Sequence, residues 1–189
     1  MVIIAGPPGS GKSTAFPVAA TGLVFFNADD HAAALNGGAF LGIPASVRRE
    51  VNQRFEAFIV GHGTRRVSLA FETTLRSSIT FEQAIAAKAS GFSTRMIYVA
   101  LDDFSAHLKR VKARAFRGGH SAPESVLREI YEPSLRNLPR AIREMDTISV
   151  FDNSAMNTEP RVFPQAEAGE VTYLADRVPN WLHRTLATL

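Results

Sequence analysis

The sequence predicts a three-layer α/β fold, with a mainly parallel five-stranded sheet and helices on both faces. Three observations predict it. Short apolar runs of strand length recur at Val2–Ala5, Leu23–Phe26, Val67–Glu72, Thr94–Leu101 and Ile148–Phe151. Helical spacing or helix-capping residues fill the segments between them. Polar or glycine-rich residues follow directly on the strand ends, where parallel sheets bind their ligands.

Val2–Ala5 is apolar and β-branched and ends in a Gly/Pro turn, so it reads as a buried strand. A helix opens after Gly11 and ends near Pro17 or Thr21. Leu23–Phe26 is the second strand, and Asp29–Leu35 starts a helix with Asp as its N-cap. Asn36, Gly37, Gly38, Gly42 and Pro44 mark a loop. Ser46 opens a helix with Val47, Val51, Phe55 and Ile59 on one face, and Gly61-His62-Gly63 is expected to stop it.

Val67–Glu72 is the third strand. Thr80-x-x-Gln83 reads as a capping box for a helix that ends at Gly91, and Thr94–Leu101 is the fourth strand. Asp103 begins a helix with Phe104, Leu108, Val111 and Ala115 in register, which Gly118-Gly119 breaks. Ser121-x-x-Glu124 with Pro123 restarts a helix that Pro133 and Pro139 should kink or divide. Ile148–Phe151 is the fifth strand. Arg161–Gln165 and Val171–Leu174 flank Gly169 as a candidate hairpin, and a helix with Trp181 completes a C-terminal extension over 160–189.

The chain has 189 residues, of which 46% are hydrophobic and 21% charged, which is the composition of one globular domain spanning 1–189. It contains no cysteine, so disulfides, thiolate metal sites and a cysteine nucleophile are excluded. No apolar run approaches the roughly 18 residues of a membrane helix. The first residues, MVIIAGPPG, enter a motif directly with no basic leader, and a cytoplasmic protein is expected. A formal net charge of +3 is too mild to argue for nucleic acid. The cations are concentrated, however: Lys109–Arg143 holds nine basic residues against three acidic ones. Either an anionic ligand or a solvated helix face accounts for that.

Gly6-Pro7-Pro8-Gly9-Ser10-Gly11-Lys12-Ser13 fits G-x-x-x-x-G-K-[ST] in full, between a strand and a helix. Such a loop wraps its backbone N–H groups around phosphate, and the helix N-terminus adds partial positive charge. The predicted nucleotide site is Gly6–Thr14, with Lys12 on the β- and γ-phosphates and Ser13 as a Mg²⁺ ligand. The motif therefore specifies a P-loop NTPase fold that binds a nucleoside triphosphate with Mg²⁺, and it leaves the reaction open.

Three further clusters follow strand ends or flank the core. Asn27-Ala28-Asp29-Asp30 places two carboxylates where one can accept the proton of an attacking hydroxyl. Either of them can instead cap the next helix. Glu72-Thr73-Thr74-Leu75-Arg76 offers a carboxylate, two hydroxyls and a guanidinium to a substrate, or else a structural Glu72–Arg76 pair. Arg110, Arg114 and Arg117 share a helix face beside Gly118-Gly119, as a mobile lid over about 110–123 would require. A merely solvated basic face is the alternative.

In this order, FNADD, FETT and RxxxRxxRGGHxxPExxxR resemble the zeta toxin family of P-loop kinases, over Val2 to about Asn153. The resemblance implies ATP-dependent phosphorylation of a hydroxyl on a small acceptor, with UDP-N-acetylglucosamine or a related sugar nucleotide as the candidate. It implies Asp29 as the catalytic aspartate, Lys12 as the loop lysine, Glu72 as the residue on the acceptor and Arg114 as a lid arginine. It also implies an antitoxin protein as a possible partner. Two features depart from the longer toxins: His120 stands near the second lid arginine, with Arg117 as its candidate substitute, and Thr73-Thr74 replaces a more Gly-rich run. Other readings are a shikimate- or gluconate-type metabolite kinase, a nucleic-acid end kinase and a nucleotide-dependent switch. The sequence has no N-K-x-D guanine reader, which argues against a GTPase.

Overall fold

The computed structural model describes residues 1–116, 122–155 and 160–187. Its sheet contains β1 (Val2–Ala5), β2 (Val24–Phe26), β3 (Leu69–Thr73), β4 (Arg95–Ala100) and β5 (Thr147–Asp152), parallel in the order β2-β3-β1-β4-β5. The hairpin β6 (Arg161–Glu167) and β7 (Glu170–Leu174) adds antiparallel to β5. The sheet thus holds seven strands where the sequence suggested five, because the hairpin joins it and covers what would be the open edge of β5.

The helices are α1 (Lys12–Ala15), α2 (Ala28–Leu35), α3 (Ala45–Arg65), α4 (Ile79–Ala89), α5 (Phe104–Phe116), α6 (Glu124–Glu144) and α7 (Asn180–Leu186). On one sheet face, Ile3, Phe71, Met96, Tyr98 and Ile148 meet Ala32, Val51, Phe81, Leu138 and Trp181 from α2, α3, α4, α6 and α7. The other face has a smaller cluster. There Ile4 and Ala70 pack with Val18, from a single 3-10 turn at Val18–Thr21, and with the partly buried Val2, Leu23, Phe25 and Ile97. β1 lies between β3 and β4, so the chain crosses over in opposite directions on its two sides. That is the point where an open parallel sheet forms a crevice beyond its carboxyl ends.

Several helix boundaries differ from expectation for local reasons. α1 is a single turn, because Phe16 precedes Pro17 and is held out of the helical region at φ −130°. Asn27, rather than Asp29, caps α2: its Oδ1 accepts from the N–H of Asp29 at 3.0 Å and of Asp30 at 3.4 Å. α3 continues through Gly61 and Gly63 to Arg65. A helical glycine costs only about 1 kcal/mol, and His62 packs on Phe58 while its Nδ1 lies 2.7 Å from the Phe58 carbonyl.

The capping box at Thr80 does not form. Thr80 is buried inside α4 with its hydroxyl 3.1 Å from that of Thr73, and Ser78 reaches Glu82 instead, at 2.7 Å. α6 runs unbroken through Pro133 and Pro139. Its apolar face buries Leu127, Leu138, Pro139, Ala141 and Ile142, and Tyr98 Oη lies 3.0 Å from Ser134 Oγ beneath it. That burial outweighs the proline penalty of about 3 kcal/mol each.

Because Asn27 alone supplies the side-chain cap of α2, Asn27→Ala should cost about 1 kcal/mol of stability in denaturant unfolding. An unchanged midpoint would show that the α2 start is held by packing instead.

Candidate active site

The phosphate loop leaves β1 at the crevice. Gly6 N–H donates to the Thr73 carbonyl at 3.2 Å, at a φ of +137°. A Cβ at Gly6 would collide with the Val99 carbonyl oxygen, so only glycine lets the loop pass this close to β4. Lys12 opens α1 and is 6% exposed. Its Nζ donates to the carbonyls of Gly6 at 2.8 Å and Pro7 at 3.2 Å, and pairs with Glu72 Oε1 at 3.4 Å. Ser13 Oγ donates to Glu72 Oε2 at 3.0 Å. One carboxylate at the end of β3 therefore holds both the lysine and the serine of the motif. Burial pushes the Lys12 ammonium below its usual range, while Glu72 and then Asp29 pull it back up and Arg114 lowers it further.

Asp29 and Asp30 stand exposed in the first turn of α2, because Asn27 has taken the capping role. Burial, then Glu72 and Asp29, raise the Asp30 carboxyl. The Asp30 carboxyl thus feels the charges of Glu72 and Asp29, and Asp29 in turn lies within the field of Lys12. His31 is stacked on Phe26 at 4.0 Å and 12°. The Thr73 hydroxyl accepts from Leu75 N–H at 3.2 Å as well as contacting Thr80, so it organises the loop after β3. Thr74 is half-buried and Arg76 exposed. Glu72 pairs with Lys12, and no Glu72–Arg76 ion pair is present among the described residues.

α5 brings two of the three arginines to the loop. Arg110 donates from Nη2 to the Asn153 carbonyl at 2.7 Å, and its Nη1 would lie 3.5 Å from a Cβ on Gly11. Arg114 is exposed, and its charge reaches Lys12. Arg117 and the Gly118-Gly119 break lie outside the described residues. Other cations of the basic stretch are used locally. Arg128 sits 4.1 Å over the Phe104 ring and 3.6 Å from Glu124, and Arg140 sits 4.2 Å over Phe81 and 2.7 Å from Glu144.

Two residues at the loop escape sequence reasoning. Asn153, just past β5, donates from Nδ2 to the Ser10 carbonyl at 2.8 Å. His107, buried on α5, accepts from Leu101 N–H on Nε2 at 3.0 Å, and its Nδ1 lies 3.0 Å from the Pro8 carbonyl. Asn153 had one available signal, a polar residue at a strand end. His107 had none, since it sits beside an apolar stripe and its partners are backbone atoms.

These features define a kinase-like P-loop fold, with its nucleotide motif at the switch point of the sheet. No family model and no curated protein matches the chain. Solved structures do. The AvrRxo1-ORF1:AvrRxo1-ORF2 complex with sulphate ions matches at a TM-score of 0.70 and 17% identity, over 98% of this chain and 62% of that one. The same complex with ATP matches at 0.68 and 18%, over 90% and 59%. The PezAT chromosomal toxin-antitoxin system of Streptococcus pneumoniae matches at 0.63 and 13%, over 100% and 77%. The chain spans about three fifths of the length of the AvrRxo1 structures. The likeness to zeta-toxin-like P-loop kinases therefore holds at the level of the fold. No described helix is long and apolar enough to cross a membrane.

The buried ring of His107 generates a pH prediction. Burial, with Lys12 and Arg110 nearby, pushes it down to about 4, against the pull of Pro8 and Asp103. Its folded value lies below the unfolded one, so the unfolded chain takes up the proton first. Stability should fall as pH drops from about 6.5 to about 4, by roughly 3 kcal/mol from this group. Denaturant unfolding of wild type and His107→Gln across that window checks it: the wild-type advantage should shrink with acidification.

Proposed function

We propose that this chain is an ATP-dependent kinase that transfers the γ-phosphate to a hydroxyl of a small metabolite. The observation that carries the reading is the Lys12–Glu72–Ser13 triangle at the mouth of the phosphate loop, with Asp29 and Arg114 acting on the same lysine. Lys12 and the loop N–H groups bind the β- and γ-phosphates, and release of Nζ from the Gly6 and Pro7 carbonyls accompanies that. Asp29 receives the acceptor proton. Arg114 offsets charge on the transferring group, and Arg110 braces the loop from the side of Asn153.

The oxygens present fit Mg²⁺. Ser13 Oγ and the Glu72 carboxylate adjoin each other, and the described residues contain no group of three or more ligating side chains that would form an all-protein cage. Mg²⁺ is ordinarily held by one or two protein oxygens together with substrate phosphates. Ser13, with Glu72 beside it, would hold the ion, which when bound neutralises charge between the phosphates. In this assignment Glu72 serves the metal side of the site. Asp30, Thr74 and Arg76 then remain to meet the acceptor, while Thr73 shapes their loop.

A sugar nucleotide such as UDP-N-acetylglucosamine is the proposed acceptor class, on the zeta toxin resemblance. An antitoxin-like protein partner is supported by two of the neighbours, a toxin-antitoxin system and a two-protein complex. A nucleic-acid end kinase is the second reading, favoured by the likeness to the Pnkp1/Rnl/Hen1 RNA repair complex at a TM-score of 0.60. ATP turnover against sugar nucleotides, nucleosides and RNA ends, with products weighed by mass, separates them. RNA as substrate predicts binding that weakens steeply with salt.

Lys12→Ala should abolish ATP turnover in a folded protein, as circular dichroism would verify; near-normal turnover would reject the kinase. Asp29→Asn should lower kcat far more than ATP affinity, and Asp30→Asn should do less. Arg114→Ala should lower kcat by about 10³-fold or more with ADP affinity unchanged, if it acts on the γ-phosphate as arginine fingers do. An unaltered kcat would leave it as a solvated side chain.

A further inference from the structure

We infer that His107 is a positioning residue for the phosphate loop, locking the loop crest to the end of β4 and to the helix that carries the arginines. The inference rests on the nucleotide reading above and assigns a role outside the motif. Nε2 accepts the Leu101 N–H at 3.0 Å and is therefore unprotonated, so the proton lies on Nδ1 and is donated to the Pro8 carbonyl at 3.0 Å. One neutral tautomer satisfies both bonds. A second proton would set Nε2–H against Leu101 N–H.

The backbone beneath the ring makes the same join. A Cβ on Gly9 would stand 2.6 Å from the His107 carbonyl oxygen and 3.0 Å from Val111 Cγ2, so α5 lies directly against the loop. On its far side the ring meets Tyr131 edge-on, with centroids 5.1 Å apart. Arg110 and Arg114 stand three and seven residues further along α5, on the helix that His107 anchors. His107 thus ties the loop crest to the helix that carries these arginines, beside the bonds that Asn153 makes to Ser10 and Arg110. Phosphate-binding geometry tolerates little slack, since displacements of about 1 Å are enough to cost large factors in rate.

Two variants separate positioning from plain stability. The amide nitrogen of asparagine falls where Nδ1 lies, so His107→Asn keeps the bond to Pro8 and gives up the acceptor for Leu101. Glutamine reaches the place of Nε2, so His107→Gln keeps the Leu101 bond and gives up Pro8. Each loses one hydrogen bond, and their melting temperatures should fall by similar amounts. Binding should diverge. By calorimetry, His107→Asn should hold Mg-ADP within about threefold of wild type, and His107→Gln should weaken it about tenfold, with KM for ATP following. Equal affinity in the two variants, or losses that simply track melting, would overturn the inference.

If His107→Gln does not fold, wild type still supplies the answer. The ¹⁵N resonances of His107 should report the Nδ1–H tautomer and shift on addition of Mg-ADP. Those of His62, bonded within α3 to the Phe58 carbonyl, should stay put. A His107 ring indifferent to bound Mg-ADP overturns the role. Failure of wild type to bind Mg-ADP at all instead removes the nucleotide reading and this inference with it.

Discussion

The site depends on a buried ammonium. Lys12 lies almost wholly out of water, where a lone charge costs several kcal/mol. Its compensation is specific: two carbonyls of its own loop and one carboxylate from another strand. The loop carbonyls are local and follow from the glycine spacing. Glu72 is not local. It reaches Lys12 only because β3 lies beside β1 in parallel register, with Ile4 opposite Glu72 and Ala5 opposite Thr73. The sheet order is therefore part of the chemistry of the lysine. A one-residue slip of β3 would turn Glu72 to the other face and strand the ammonium.

The same dependence extends to the other side of β1. Gly6 passes under the Val99 carbonyl, Gly9 rests on the backbone of α5, and Asn153 holds Ser10 from the end of β5. The loop is clamped from β3, β4, β5 and α5, so its shape is set before any phosphate arrives. Preorganised backbone N–H groups need not rearrange at the moment of reaction, which is the usual source of electrostatic catalysis.

What was legible in the sequence was local. The strand-length apolar runs, the complete loop motif and the acidic and basic residues after the strands need only neighbouring residues to be recognised. Helix ends were less legible, because burial decides them. Pro133 and Pro139 look like breaks until α6 is seen to bury Leu138, Ala141 and Ile142 in the main core. Gly61 and Gly63 look like a stop until Phe58 and Ile59 are seen to pack there. Asp29 and Asn27 are equally good caps by type, and only the hydrogen bonds assign the role. Least legible were contacts to backbone atoms across the sheet, such as His107 to Pro8 and Asn153 to Ser10, since a carbonyl partner leaves no mark on the sequence.

The assignment of the cap has a chemical consequence. If Asp29 or Asp30 capped α2, a carboxylate would be spent on backbone N–H groups and its basicity lowered. With Asn27 in that place both carboxylates remain free, and their environments differ. Asp29 lies in the field of Lys12, while Asp30 faces Glu72 and is raised by burial and by its acidic neighbours. The pair is therefore graded. One carboxylate acts on the loop lysine, and the other feels the Glu72 charge at the end of β3. A neutral cap residue at Asn27 is thus what leaves both acids of the first turn of α2 unspent on backbone N–H groups.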